Sequence, residues 1–280
     1  TLGDGYKSAY GDRPLALTQS RIDSYYGCPF AYFCRFTVNL SREVRAEFDA
    51  SNIGVFVHAV LENFFRYLHK EGKRAADLTG DERIALTDRS AEQYLGEISE
   101  SMDNASMRVR LKIEKLRRAA SAVVDGLVRE FSESLFEPRF FELAISPSKE
   151  EVPDPVVFDS EDGKKVYVYG IIDRVDTYKH GDDVYVRVVD YKTGRKEFSP
   201  EDLAEGKNLQ MFLYLRSILE SENENFRKAL ELGETGRVIP AGVIYVKTSV
   251  KDVKINTPSD KEALAAFMNA QTREGMVLDD

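Results

Sequence analysis

Apolar residues recur at helical spacing in two long segments of the first half of the chain. We predict amphipathic helices over about 51–69 and 106–136, separated by an acidic surface segment with one or two short helices. The first stripe consists of Val57, Leu61, Phe64, Phe65 and Leu68. The second consists of Leu111, Leu116, Ala119, Val123, Leu127, Phe131 and Leu135.

From residue 140 onward the pattern changes to short β-rich runs, at 140–144, 155–158, 166–179, 184–192 and 241–247. One further helix is expected to begin at Pro200 and to carry Gln210 and Tyr214, and another to cover 261–273 with no closing element after it. The change of pattern predicts a helical N-terminal part, residues 1–139, integrated with an α/β core, residues 140–280.

The runs at 166–179 and 184–192 are separated by a polar break in which Gly181 is followed by Asp182. Gly followed by Asp between two β-rich runs indicates a two-residue hairpin turn. Counting outward from that turn places Asp173 directly opposite Asp190. A four-residue loop keeps this register, whereas a loop of three or five residues shifts it.

Opposed residues on an antiparallel pair have Cβ atoms about 4.5–5.5 Å apart, so Asp173 and Asp190 would repel one another. Lys192 lies two residues beyond Asp190 and therefore on the same face. A divalent metal such as Mg²⁺ or Mn²⁺ would relieve the repulsion, because hard cations prefer oxygen ligands. The alternative is a surface ladder of salt bridges between the same three side chains.

Composition and charge narrow the class of protein. The chain has 280 residues, 42% of them hydrophobic, and a net charge of −9. No apolar run approaches the roughly 20 residues that span a bilayer. The negative charge argues against a broad nucleic-acid surface, so any DNA contact should be local and metal-assisted. With only Cys28 and Cys34, the chain has no disulfide framework, which favours a reducing compartment such as the cytoplasm.

Four short motifs occur in an order that resembles the PD-(D/E)xK nuclease superfamily, and its RecB-like branch in particular. They are Gly54-x3-His58-x2-Leu61-Glu62, Gly170-Ile-Ile-Asp173, Asp190-Tyr-Lys192-Thr-Gly194 and Gln210-x3-Tyr214. The pattern Ser-x-Ile-x-x-Tyr-x-x-Cys-Pro-Phe at residues 20–30 is similar to the nuclease domain of the AddB component of AddAB helicase–nucleases. The resemblance implies a restriction-endonuclease-like fold, a mixed β-sheet flanked by helices, with the N-terminal helices packed against it.

The resemblance also implies roles for individual residues. Mg²⁺ or Mn²⁺ would be held by the side chains of His58, Asp173 and Asp190 and by the backbone carbonyl of Tyr191. Lys192 would position or deprotonate the attacking water and offset charge on the phosphate. Gln210 and Tyr214 would lie beside the site and orient Lys192 or the DNA strand. Glu62, one helical turn after His58, is a candidate for a residue that lies behind the metal ligands.

The implied activity is metal-dependent exonuclease cleavage of DNA within a helicase–nuclease that processes double-strand ends for recombinational repair. An AddA-like protein would be the partner, because the chain has no Gly-x4-Gly-Lys-Ser/Thr phosphate loop of its own. In the AddB family the equivalent of Cys28 binds a [4Fe–4S] cluster together with three later cysteines. This chain lacks them, so we expect a fragment of a longer protein that does not assemble the cluster. The alternatives are a Cas4-like nuclease and a catalytically inactive scaffold that binds DNA or a partner.

Overall fold

A mixed sheet of seven strands runs through the part of the chain that the computed structural model describes, residues 15–40, 50–97, 107–148, 150–160, 163–192, 199–204, 208–247 and 273–277. The strands are β1 (Leu15–Thr18), β2 (Glu137–Ile145), β3 (Val156–Asp159), β4 (Lys165–His180), β5 (Asp183–Lys192), β6 (Val238–Lys247) and β7 (Arg273–Val277). The main order is β1-β4-β5-β6-β7, and β2 and β3 also pair with β4. The predicted fold class, a mixed sheet flanked by helices, is confirmed.

Strand β4 organises the sheet because its 16 residues are long enough to serve two sets of neighbours. Its first half pairs in parallel with β1 and antiparallel with β3, and its second half pairs antiparallel with β2 and β5. Strand β6 adds in parallel to β5, and β7 is antiparallel to β6. The β4–β5 hairpin is therefore central, with further strands on both sides.

Eight α-helices are described: α1 (Gln19–Gly27), α2 (Pro29–Tyr32), α3 (Ala50–Lys70), α4 (Gly80–Glu97), α5 (Met107–Glu133), α6 (Pro200–Ala204), α7 (Gln210–Glu220) and α8 (Glu224–Ala229). The two long helices predicted from apolar stripes are α3 and α5, which confirms that both exist. In the second stripe, however, Leu111 is exposed, and Leu135 is exposed and lies beyond the end of α5, so these two residues are not part of the core. None of the described helices is long and apolar enough to cross a bilayer.

Alternation along β5 divides the interior into two hydrophobic cores, one on each face of the sheet. On one face Val189 and Tyr191 are buried against residues of α3, α4 and α5. On the other face Val184, Val186 and Val188 are buried against α7 and α8. The end of β5 therefore lies between two layers of helices, and side chains from both can reach it.

The β4–β5 hairpin has the predicted register. His180 pairs with Asp183, and the pairing continues without a shift to Arg174 and Val189. Gly181 has φ +61°, as the first position of a type II′ turn requires. Because a short turn sets the register of both strands, local sequence was sufficient to predict it.

Three expectations about helices and chain ends are wrong. The acidic segment forms the 18-residue α4 rather than short helices, because Thr79 and Glu82 cap its start reciprocally, each backbone amide donating to the other side chain. The helix that begins at Pro200 ends at Ala204, and Gln210 begins a separate helix after Asn208, whose φ is +56°. Strand β7 closes the sheet edge near the C-terminus, and the rest of the predicted 261–273 helix lies outside the described residues.

Candidate active site

Three carboxylates lie side by side on the neighbouring strands β2, β4 and β5. Asp173 and Asp190 are the residues next to Arg174 and Val189, the last pair of the hairpin ladder. On the other side of β4, the residues that flank Glu142 pair with the residues that flank Asp173, so these two lie at the same level. Glu142 has φ +46°, an unusual conformation for a residue other than glycine.

His58 on α3 faces two of these carboxylates. Its Nδ1 lies 3.7 Å from Asp173 Oδ2 and 3.9 Å from Glu142 Oε1, and one ligand atom of each residue lies within 4.8 Å of the other two. Its Nε2 lies 3.0 Å from the carbonyl oxygen of Tyr191. A carbonyl only accepts hydrogen bonds, so Nε2 is the donor in this arrangement, and Nδ1 is the ring nitrogen that faces the two carboxylates.

The peptide group of Tyr191 connects the two sides of the site. Its amide donates a 2.7 Å hydrogen bond to Asp173 Oδ2, while its carbonyl accepts from His58. The Tyr191 ring also meets the His58 ring edge to face, with centroids 5.4 Å apart. One residue of β5 therefore fixes the orientation of both a carboxylate and an imidazole.

Lys192 and Asp190 form an ion pair on the α7 side of the sheet. Lys192 Nζ donates to Asp190 Oδ1 at 3.0 Å and lies 2.8 Å from Oδ2. Apart from this contact, the buried Oδ2 has no hydrogen-bond partner among the described residues. Lys192 Nζ also lies 5.6 Å from the centre of the Tyr245 ring, a distance at which a cation–π attraction operates.

The electrostatics of the site disfavour the simultaneous ionisation of its acids. Burial, followed by the charge of Asp190, raises the pKa of Asp173 from its ordinary value of 3.8 to about 7. Burial, followed by the charge of Glu62, raises the pKa of Glu142. Carboxylates held this close retain protons unless a cation replaces them. The oxygen-rich donor set with one imidazole therefore fits a divalent metal ion.

Gln210 and Tyr214 lie on the same face of α7, where Gln210 Nε2 donates to the Tyr214 hydroxyl at 3.2 Å. Tyr214 lies against Gly170 of β4, and a Cβ atom at Gly170 would overlap its hydroxyl. Burial raises the pKa of Tyr214, and the charges of Asp190 and Asp173 add to the effect. Within the described part of the chain, no hydrogen bond joins either side chain to Lys192.

Glu62, the candidate from the first motif, lies near Glu142 and is hydrogen-bonded to Arg66. Its Oε1 accepts a 2.8 Å hydrogen bond from Arg66 Nε, and Arg66 Nη2 donates to the carbonyl of Phe141 at 3.2 Å. Phe141 directly precedes Glu142. Arg66 therefore links Glu62 to β2, the strand that carries Glu142.

Sequence reasoning missed Glu142. A signal was available, because Glu142 interrupts an otherwise apolar run from Phe140 to Ile145 in a strand with buried positions. A charged residue at such a position needs a partner or a function. Periodicity alone could not show that its neighbour across the strand would be Asp173.

Cys28 lies apart from these residues, at the junction of α1 and α2. Its side chain is exposed, and its Sγ accepts from the backbone amide of Ala31 at 3.5 Å, as an N-cap of α2 in which Pro29 is the first residue. The chain contains only one other cysteine, Cys34. A four-cysteine iron–sulfur cluster therefore cannot be completed from this chain.

Comparison with known proteins shows which proteins the chain is similar to. The chain is 29% identical over 275 residues to the B component of the ATP-dependent helicase/deoxyribonuclease of Thermoanaerobacter sp. (strain X514), covering 98% of the chain and 23% of that protein. The protein of the same name from Alkaliphilus oremlandii is 28% identical over 281 residues, covering 100% and 24%. The one from Desulforudis audaxviator is 31% identical over 273 residues, covering 97% and 22%.

The chain thus spans less than a quarter of the length of these curated relatives. The sequence pattern of the PD-(D/E)XK nuclease superfamily matches residues 16–277, a range that includes every side chain of the site. The match covers nearly the whole chain, and the chain belongs to the PD-(D/E)XK nuclease superfamily.

Proposed function

We propose that this chain is a metal-dependent deoxyribonuclease domain that hydrolyses phosphodiester bonds at DNA ends. The observation that carries the proposal is the convergence of the His58–Glu142–Asp173 cluster with the Asp190–Lys192 pair at the end of β5. A cluster of metal ligands beside a lysine is the arrangement that metal-assisted phosphoryl hydrolysis needs.

The residues that would hold the ion, Mg²⁺ or Mn²⁺, are Asp173, Asp190, Glu142 and His58, the last through Nδ1, which faces Asp173 and Glu142. The Tyr191 carbonyl lies 3.0 Å from Nε2, on the opposite side of the ring from Nδ1, so it would share an ion with His58 only if His58 bound that ion through Nε2. The bound ion would lower the pKa of a water molecule and stabilise charge on the phosphoryl oxygens. Glu142 extends the set of ligands that the motifs named.

Lys192 is the candidate for handling the attacking water. Its ammonium group lies against Asp190, so it stays beside the metal ligands and can hydrogen-bond a water or a phosphoryl oxygen there. Its positive charge offsets the charge that develops on the phosphate. To act as the general base, Lys192 would have to be neutral, because an ammonium group cannot accept the proton of the water.

Gln210 and Tyr214 support the substrate side of the site. The hydrogen bond between them holds the Tyr214 hydroxyl against Gly170, three residues before Asp173. Because no hydrogen bond joins either side chain to Lys192 within the described residues, we assign them to orienting the DNA strand rather than the lysine.

The printed name of the relatives, which makes them one component of an ATP-dependent helicase/deoxyribonuclease, supports a setting for this activity. We propose that the domain acts within a helicase–nuclease that processes double-strand ends for recombinational repair, with an AddA-like protein as its partner. In a longer protein, Cys28 would be one ligand of the [4Fe–4S] cluster. The reducing, cytoplasmic compartment expected from the cysteine content stays a prediction.

The first test is Mn²⁺ and Mg²⁺ binding by isothermal titration calorimetry, with the wild-type chain, Asp173→Ala and the control Asp159→Ala. Asp159 is an exposed strand residue paired with Lys165, so its loss should leave metal binding unchanged. Loss of binding in Asp173→Ala alone would support the proposal. Equal weak binding in all three proteins would mean that the acidic row is structural, and the inactive scaffold would replace the nuclease as the proposed function.

The second test is cleavage of end-labelled single- and double-stranded DNA, with Mn²⁺ and with EDTA. We expect cleavage that needs the metal and starts from ends. Cleavage that continues at the same rate in EDTA would contradict metal dependence, and cleavage of circular DNA at the rate of linear DNA would contradict exonuclease action.

A further inference from the structure

Arg174 is completely buried in the sheet, one residue after Asp173. Its Nη1 donates to the hydroxyl of Tyr191 at 2.6 Å, and its Nη2 donates to Asp176 Oδ2 at 3.0 Å. Its Nε lies 2.7 Å from Asp176 Oδ1. The guanidinium lies 5.1 Å from the centre of the Phe131 ring and 5.4 Å from that of the Tyr191 ring.

A second arginine, Arg187, shares the carboxylate of Asp176 with Arg174. Arg187 Nε donates to the same Asp176 oxygen at 2.8 Å, and Arg187 Nη2 donates to Glu130 of α5 at 2.9 Å. Two cations and two anions therefore form one network, which joins β4, β5 and α5. We call Arg174, Asp176, Arg187 and Glu130 the buried tetrad.

The tetrad touches the candidate active site at one point, Tyr191. Arg174 holds the hydroxyl and the ring of Tyr191, and the backbone of the same residue donates to Asp173 and accepts from His58. Arg187 has no such contact, since its partners among the described residues are Asp176 and Glu130, with the Phe136 ring 4.7 Å away. The two arginines thus have the same charge and the same carboxylate partner, Asp176, but only Arg174 contacts Tyr191.

Burying ions costs desolvation energy, and a well-packed apolar group of the same size often gives equal or better stability. A buried arginine therefore calls for a reason other than stability. One such reason is the support of a metal site, because residues that hydrogen-bond metal ligands fix the orientation in which those ligands meet the ion.

We propose that Arg174 is a positioning residue for the metal site, acting through the hydroxyl and ring of Tyr191 on His58 and Asp173. This inference rests on the proposed metal-dependent function. It also explains why a tyrosine, rather than an apolar residue of similar size, stands between Asp190 and Lys192: its hydroxyl is the acceptor that fixes it to the tetrad.

The test is Mn²⁺ binding by calorimetry together with urea unfolding, for Tyr191→Phe, Arg174→Met and the matched control Arg187→Met. Tyr185→Phe, on the same strand, is the control for Tyr191→Phe. Mutation of a residue that hydrogen-bonds a metal ligand typically lowers the metal affinity by about 10–100-fold. We therefore expect about a tenfold weaker Mn²⁺ affinity in Tyr191→Phe and in Arg174→Met.

The double variant Arg174→Met/Tyr191→Phe should bind Mn²⁺ no more weakly than the weaker single variant, because both changes remove the same contact. Arg187→Met should be destabilised to urea but keep the wild-type Mn²⁺ affinity within about twofold, since it does not touch Tyr191. Tyr185→Phe should match the wild type in both measurements. Tyr191→Phe keeps the ring, so it provides the answer if Arg174→Met fails to fold.

Wild-type affinity in Tyr191→Phe would overturn the positioning role, as would an equal loss of affinity in Arg174→Met and Arg187→Met, which would reflect general destabilisation. Absence of Mn²⁺ binding by the wild-type chain would overturn the proposed function, and the positioning role with it. The two failures are therefore distinguishable in one set of titrations.

Discussion

The backbone amide of Tyr191 donates a 2.7 Å hydrogen bond to Asp173 Oδ2, across the central hairpin. Asp173 is therefore held by β5, and the same carboxylate oxygen faces His58 on α3. The site is thus assembled around a peptide group of β5 rather than around a single motif. Substitutions at its members should separate metal binding, chemistry and stability.

Glu142→Gln should weaken Mn²⁺ binding by about tenfold, because it removes one anionic oxygen donor from the cluster with His58 and Asp173. Calorimetric titration measures the change. Glu137→Gln is the matched control, since Glu137 lies on the same strand but is paired with Arg74 at the surface. Identical affinity in Glu142→Gln and Glu137→Gln would remove Glu142 from the ligand set.

Lys192→Ala should lower the rate constant for DNA cleavage by about 10²–10⁴-fold, the range typical for loss of an acid–base group. Mn²⁺ affinity should stay the same or increase, because Asp190 loses its competing cation. Single-turnover cleavage of end-labelled DNA measures the rate, and Lys165→Ala, an exposed lysine paired with Asp159, is the control. A Lys192→Ala protein that cleaves at the wild-type rate would contradict the assignment.

The stability of the metal-free protein should fall as the pH rises. Asp173 has a pKa of about 7 instead of 3.8, because burial and the charge of Asp190 disfavour its ionised form. The folded state therefore binds this proton more tightly than the unfolded chain, and its contribution to stability is lost between pH 3.8 and about 7. With about 1.4 kcal/mol per pKa unit, the loss amounts to a few kcal/mol.

Urea unfolding in EDTA at pH 5 and pH 8 measures this slope. Asp173→Asn should flatten it, and the exposed-site control Asp159→Asn should keep it. Excess Mn²⁺ should oppose the slope, since the ion binds the ionised carboxylate and its affinity rises with pH until Asp173 is deprotonated. The same slope in Asp173→Asn as in the wild type would show that other groups carry the pH dependence.

Gly170→Ala should destabilise the fold by about 1–3 kcal/mol, the usual cost of overpacking. Its Cβ would overlap the Tyr214 hydroxyl, so Tyr214 must move away from Gln210. Thermal unfolding measures the change, with Gly27→Ala as the control because a Cβ there meets nothing within 4 Å. Gly170→Ala combined with Tyr214→Ala should be less destabilised than the two single effects added together. Strict additivity would mean that the two residues do not conflict.

Local sequence determined the hairpin and the positions of the acidic residues that it carries. A short Gly-Asp turn sets the register of both strands, so the opposition of Asp173 and Asp190 follows from counting. The two-residue period then places Lys192 beside Asp190, and the structure has these two residues as an ion pair. The stripe of α3 was equally predictable, because burial of one helix face leaves a clear period in the sequence. The stripe of α5 was predicted except at its two ends, where Leu111 and Leu135 are exposed.

The tertiary structure alone decided which side chains meet across the chain. His58 and Tyr191 are 133 residues apart in sequence, and they meet because α3 packs on the face of the sheet that Tyr191 shares. Glu142 reaches the site through the pairing of β2 with β4. Arg174 contacts Tyr191 where Phe131 of α5 packs against the buried face of β4 and β5. Periodicity predicts which face of an element is buried, but the partner on that face depends on how helices and strands from distant parts of the chain pack together.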